Sequence, residues 1–323
     1  MKQLLLIPKR LHPSRYDFLN VKGEKCLDFH CLYEMIQNKL GFEIIYTDEI
    51  GPFSSDTEAI LCIFRRPMIL RGEINPRIKF IITLGDVHNS HKDWICKSMP
   101  ILKRANIILN GSNDAFRQAF PQFVKKYIFF PQFFRTHERY VSLGYNKNPM
   151  MKCLLTGRVQ HKYYALRTWL WEKVAFNEDN GEWRKRIDIM KHYWYERKRT
   201  KIHSWEIPPA VGDEYARMLH KYFCGTALEG EKNYMNAKCV EIPAAGSLLL
   251  TNETPDMITA GFIPMKHYVS VTKTTSLPQI EDCLVHPEKY EKIKREGMEF
   301  VRTNHSINNR FEQIKKILEG FYT

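Results

Sequence analysis

A chain of 323 residues with 44% hydrophobic and 13% aromatic content is long enough to bury two cores and lies outside the disordered class. Its 49 Lys and Arg against 36 Asp and Glu leave a net charge of +13, which draws polyanions (nucleic acid, an anionic membrane surface, a phosphate-bearing ligand) without choosing among them. No stretch approaches the roughly 18 to 20 uninterrupted apolar residues of a membrane span.

In chain order, "QLLLIP" reads as a first buried strand, because its apolar run is shorter than the roughly 7–15 residues of a secretory signal. "CLDFHCLYEMIQNKLG" places apolar residues at 31, 32, 35, 36 and 40 and closes on Gly41, the pattern of a helix with its stop. "FEIIYT", "AILCIF" and "KFIITLGD" are short β-branched or aromatic runs bounded by turn residues, hence strands. "ANIILNGS" and "NDAFRQAF" give a further strand and helix, and "KYIFFP" another strand. Continuous apolar strands separated by helices predict a parallel sheet covered on both faces.

Near "SLGYNKNPMMK" the chain turns polar with the residues of a linker, and the pattern restarts. "KCLLTGRVQHKYYALRTWLWEKV" is strand, glycine turn and helix; "GDEYARMLHKYFCGTAL" and "NAKCVEIPAAGSLLLT" are each helix then strand. "HPEKYEKIKREGMEFV" and "HSINNRFEQIKKILEGF" are amphipathic helices, the latter with Ile307, Phe311, Ile314, Leu318 and Phe321 on one stripe. The fold expected is α/β: two Rossmann-like, doubly wound domains, 1–148 and 149–305, followed by a C-terminal helix over 306–323. A cleft between two such domains is the expected ligand site, since ligands bind beyond the carboxyl ends of parallel strands.

The eight cysteines, at 26, 31, 62, 96, 153, 224, 239 and 283, form no CxxC pair, and several sit inside apolar runs. Buried reduced thiols of a cytoplasmic protein account for them better than disulfides or zinc, and the sequons at Asn110, Asn252 and Asn304 then carry no glycan.

Four stretches can carry chemistry. In "LLTGRVQHKYYAL" a strand ends on Gly157, and Arg158 and Lys162 precede a helix; cations and free N–H groups there suit a diphosphate, although an ordinary glycine turn with solvated cations fits as well. It has neither the P-loop nor the GxGxxG spacing. In "NYMNAKCVEIPAAGSLLLTNETPDM", Lys238 and Glu241 share one helical face and Gly246 lets the following strand approach; a carboxylate there can accept both ribose hydroxyls while the lysine reaches phosphate. A plain helix–turn–strand unit with a surface Glu is the alternative. "LGDVHNSHKDW" carries Asp86, His88 and His91 at a strand's carboxyl end, where His88 can be a general base, a sugar-binding group or a loop histidine. No metal set is spaced there, and no paired-aspartate motif is present. Finally, "WRKRIDIMKHYWYERKRTK" (183–201) mixes cations with aromatics, which suits single-stranded nucleic acid or an anionic surface, and more often marks a solvated helix face.

From about 213 to 313, the order of "YMNAKCVEIPAAGSLLLTNETPDM", "FIPMKHYVSV" and "CLVHPEKYEKIKREGMEFVRTNHSINNRFEQI" resembles the C-terminal half of GT-B glycosyltransferases, closest to the spore-maturation CgeB-like members related to the group 1 family. The resemblance implies a two-domain GT-B fold whose C-terminal helix crosses back to the N-terminal domain. It implies transfer of a sugar from a nucleotide-diphosphate donor to a hydroxyl acceptor (a glycan, glycolipid or similar, anionic members included), with no cofactor and no metal. Glu241 would hold the donor ribose, Lys238 and Arg158 would face the diphosphate, and Asn252, Glu253 and Thr254 would line the loop below the donor. The acceptor would fall to the N-terminal domain, with His88 or Asp86 as base. Many group 1 relatives carry a second glutamate eight residues earlier, where this chain has Asn233. A non-catalytic nucleotide-sugar or polyanion binder is therefore one rival, and a nucleic-acid binder using 183–201 is another.

Overall fold

The computed structural model describes residues 2–9, 30–64, 68–84, 99–134, 137–157, 159, 164–176, 181–190, 206–207, 210, 212–228 and 234–320. The chain divides into two compact units, residues 1–131 with 307–323, and residues 132–306.

In the first unit β1 (Lys2–Ile7), α1 (His30–Leu40), β2 (Glu43–Tyr46), β3 (Glu49–Ile50), β4 (Thr57–Phe64), β5 (Ile69–Leu70), β6 (Lys79–Leu84), β7 (Ile107–Asn110), α2 (Asn113–Ala119) and β8 (Tyr127–Phe129) follow in order. The main sheet runs β2-β1-β4-β6-β7-β8 and is parallel throughout, with Leu5 opposite Leu61 and Leu61 opposite Ile81. The apolar runs are unbroken because the inner strands are covered on both faces: Leu4 to Ile7, Ile60 to Ile63 and Phe80 to Ile82 are all buried. α1 stops where Gly41, at φ +74°, donates its N–H to Gln37 O. The short pair β3–β5, which sequence patterning did not foresee, lies apart from the main sheet and is braced by Arg71 on Glu49.

The second unit contains α3 (His137–Val141), β9 (Met150–Thr156), α4 (Ala165–Ala175), α5 (Glu182–Arg186), β10 (Ile187–Met190), β11 (Glu206–Ile207), α6 (Gly212–Lys221), β12 (Tyr222–Thr226), α7 (Lys238–Ala244), β13 (Leu248–Thr251), α8 (Pro255–Thr259), β14 (Val269–Ser270), α9 (Ser276–Val285) and α10 (Glu291–Asn304). Its sheet, also parallel, runs β11-β10-β9-β12-β13-β14. Chain order therefore reverses between β9 and β12, which is the topological switch point of a doubly wound sheet. The last helix, α11 (Ile307–Glu319), returns to the first unit. Ile307, Phe311, Ile314 and Leu318 are buried as their spacing predicts, Lys39 of α1 sits over the Phe311 ring, and Gln313 donates to Phe129 O. Phe321 lies outside the described residues.

Two expectations meet a different arrangement. Residues 132–148, read as the end of the first domain and a linker, cluster with the second unit. Phe134 N–H donates to His305 O, Arg139 pairs with Asp213, and Asn146 bonds His220 O. Gly and Asn look like a linker because the same residue types satisfy a tight turn inside a domain. The basic stretch also changes character. Ile187, Ile189 and Met190 are buried in β10, beside the central strand, and Asp188 between them takes Lys152 and the Tyr222 hydroxyl. Arg184 donates to the Val174 and Ala175 carbonyls, Lys185 pairs with Glu182, and Arg186 with Glu281. Those cations are committed locally; residues 191–201 lie outside the described ones. Among the described residues, no helix is long and apolar enough to cross a membrane.

Candidate functional site

The carboxyl ends of β9 and β12 flank the switch point, and the groups gathered there come from four separate segments. β9 ends into Gly157, whose φ of +112° is open to glycine and strained for other residues. A Cβ at this position would fall 2.9 Å from Arg167 Nη1, 3.1 Å from its Cζ and 3.2 Å from Lys238 Cε. Both cationic side chains therefore close on one bare α-carbon. Arg167 projects inward from α4, is 2% exposed, donates through Nη2 to Leu228 O at 2.5 Å, and lies 4.3 Å over the Tyr164 ring. Leu228 belongs to the loop that leaves β12, so this one side chain joins the two segments that emerge on either side of the switch point.

α7 supplies the other half. Asn236 Oδ1 accepts the Lys238 backbone N–H at 2.7 Å, just outside the first turn. Lys238 and Glu241 are then neighbours at helical spacing. Glu241 is only 7% exposed, and its carboxylate makes no hydrogen bond or ion pair with any described residue. The hydroxyl of Thr226, the last residue of β12, is likewise buried with no partner among the described residues. Buried polar groups are ordinarily satisfied; the Thr226 hydroxyl is one of several buried side-chain atoms without a partner among the described residues, whereas the Glu241 carboxylate keeps a little exposure. The ends of β12 and β13 are locked together by Thr251 Oγ1, which donates to Ala227 O at 2.8 Å.

The remaining expected residues are distributed differently. Gly246 lies between the end of α7 and the start of β13, at the amino edge of the sheet, where a Cβ would meet Met298 Sδ and Gly144 O. It terminates the helix (its N–H bonds Pro243 O) at the opposite end from Gly157. Asn252, Glu253 and Thr254 do follow the carboxyl end of β13. Thr254 is buried and caps α8 by accepting the Met257 N–H, so its hydroxyl is in structural use. Glu253 is exposed and accepts the Tyr268 hydroxyl at 3.5 Å; burial first, then this carboxylate, pushes the Tyr268 phenol up. Arg158, Lys162, His88 and Asp86 lie outside the described residues, as does Asn233.

Sequence reasoning passed over Arg167, Thr226 and Thr251. Arg167 carried a readable signal, since Arg167, Leu170 and Val174 form an inward stripe at i, i+3 and i+7. A charge in an apolar stripe is more informative than a charge on a polar face.

The family of glycosyl transferase-like proteins matches residues 158–316. Among curated proteins none matches. Among solved structures, HepE from Anabaena in complex with UDP-glucose aligns with a TM-score of 0.62 at 10% identity, covering 99% of this chain and 100% of that one. Sucrose-phosphate synthase from Thermosynechococcus elongatus aligns at 0.56 and 11% identity, over 90% of this chain and 76% of that one. An alpha-glucosyltransferase in complex with UDP aligns at 0.59 and 10% identity, over 99% and 100%. At such identities the structures speak for the fold, which is that of GT-B proteins, and the match over residues 158–316 says what just under half of the chain is similar to: glycosyl transferase-like proteins.

Proposed function

We propose that the protein is a glycosyltransferase that moves a sugar from a nucleoside-diphosphate donor to a hydroxyl acceptor. The observation that carries the reading is Glu241: a carboxylate nearly buried, without a partner among the described residues, on the same helical face as Lys238 and beside the switch point. A ribose presents two adjacent hydroxyl donors, the complement of one carboxylate with two free oxygens. Lys238 is placed to meet the diphosphate, and Arg158 and Lys162, next in sequence after Gly157, add to that charge. The similarity to structures that hold UDP or UDP-glucose supports a nucleotide-sugar donor.

The chemistry asked of the protein is electrostatic. As the glycosidic bond to phosphate breaks, negative charge builds on the leaving diphosphate, and preorganised cations lower that barrier in place of a resident metal. Donor binding falls to the second unit and acceptor binding to the first, with His88 or Asp86 as the base that takes the acceptor proton. The motif order over 213–313 supports a kinship with CgeB-like glycosyltransferases. Nucleotide sugars and buried free thiols such as Cys153, Cys224 and Cys239 suit the cytoplasm, and the excess of cations suits an anionic acceptor or a peripheral membrane contact.

A thermal-shift and calorimetry panel of nucleoside diphosphates and nucleotide sugars, on wild type and Glu241→Ala, tests the reading. One nucleotide series should raise the wild-type melting temperature by mass action and leave the variant unmoved. Binding of no nucleotide, or equal binding by both proteins, refutes it.

A further inference from the structure

The switch point holds one residue to which the donor reading so far gives no task. Arg167 is the first member of a buried helical stripe, where a leucine would pack as well, and a guanidinium is costly to bury. Its surroundings are specific. Nη2 bonds the carbonyl of Leu228, in the loop after β12, while Nη1 rests where a side chain at Gly157, in the turn after β9, would begin. Lys238 Cε touches the same vacant position from the other side. The Thr226 hydroxyl, buried without a partner among the described residues, and the nearly buried Glu241 carboxylate belong to segments beside the same switch point.

We infer that Arg167 is a positioning residue of the donor site. Its guanidinium ties the turn after β9 to the loop after β12 and places a fixed positive charge beneath the donor's diphosphate. This rests on the nucleotide-sugar reading above and adds to it. Gly157 is bare because its φ of +112° favours glycine and because the guanidinium takes the volume its Cβ would need. The charge then separates ligands by phosphate content: nucleoside recognition belongs to Glu241, and the preference for a diphosphate belongs to Arg167 together with Lys238. A charge held by the fold does not reorganise when the leaving diphosphate develops its own.

The test is calorimetric and by competition, using uridine, adenosine and guanosine beside their 5′-diphosphates, on wild type, Arg167→Met, Arg167→Lys and Gly157→Ala. Arg167→Met should weaken the diphosphate by about 10- to 100-fold and leave the matching nucleoside within about two-fold. Arg167→Lys should recover part of the loss, because it returns charge without the bidentate fork. Gly157→Ala, which strains the backbone at φ +112° as well as displacing the guanidinium, should weaken the diphosphate and keep the nucleoside; if Arg167→Met does not fold, Arg167→Lys carries the test, with the diphosphate weakened and the nucleoside kept. Parallel loss of nucleoside and diphosphate, or a diphosphate affinity unchanged in Arg167→Met, overturns the inference. Failure of the wild type to bind any nucleoside or diphosphate instead defeats the donor reading itself and takes this inference with it.

Discussion

Glu241 makes a prediction about the empty protein that runs against its proposed use. A carboxylate that is nearly buried and unpartnered among the described residues is a stability cost until a ligand arrives. An unsatisfied buried polar group costs about 1–3 kcal/mol, and a carboxylate that keeps some exposure, as Glu241 does, falls in the lower half of that range. Against this, Glu241 lies in the first turn of α7, where a negative charge is favourable by about 0.3–1 kcal/mol. Glu241→Leu removes both terms and suits a helix in which every residue from Cys239 to Ala244 is buried. The net expectation is a second unit more stable by about 1 kcal/mol without nucleotide, or a rise of roughly 2–4 °C for a domain of this size. Trp169, Trp171 and Trp183 fall within the second unit, so tryptophan fluorescence in a urea titration follows the right transition. With nucleotide at about a hundred times its dissociation constant the wild type should gain about 2.7 kcal/mol and the variant nothing. The order of stability should therefore invert with ligand. A ligand-free Glu241→Leu that unfolds at lower urea than wild type would show that the carboxylate is already satisfied internally, and the functional argument would lose its main support.

Three further outcomes follow from the packing of the second unit. A Cβ at Gly297 in α10 would fall 2.4 Å from His267 O, so the roughly 1 kcal/mol that alanine gains over glycine in a helix is outweighed by overpacking of about 1–3 kcal/mol or more, and Gly297→Ala should unfold at lower urea. Arg302 donates to the carbonyls of Ala244, Tyr140 and Gly144; Arg302→Met strands all three, and should lose about 2–4 kcal/mol in the same titration, with Arg302→Lys intermediate. Burial, and then Lys266, hold the His267 imidazole below its usual pKa, opposed by Glu296, and its Nδ1 accepts the Ile263 N–H. The unfolded chain therefore binds that proton more readily than the folded one. His267 should contribute stability above pH ~6.5 that is lost as pH falls below it, and the difference between wild type and His267→Gln should shrink as urea midpoints are followed from pH 8 to pH 5.

Strands were legible where burial on two faces demanded an unbroken apolar run, as in β1, β4, β6 and β13, and α11 was legible from its stripe. β10 was not, because only four residues, one of them Asp188, sit between cations, and their burial depends on lying between β9 and β11. The site divides along the same line. Lys238 and Glu241 are readable as a pair because helical spacing alone puts them together, and Gly157 is readable as a turn. Arg167 meets Leu228 across 61 residues, and Lys238 meets Gly157 from a different helix, through an event no local pattern encodes: β12 pairing directly beside β9. Had β12 been added at the outer edge beyond β11, every local motif would stand unchanged and the cations would not converge. The motifs supply the chemical groups, and strand order makes them a site. Gly246 shows the converse, a residue of the right type in the right motif that the same sheet carries to its far edge.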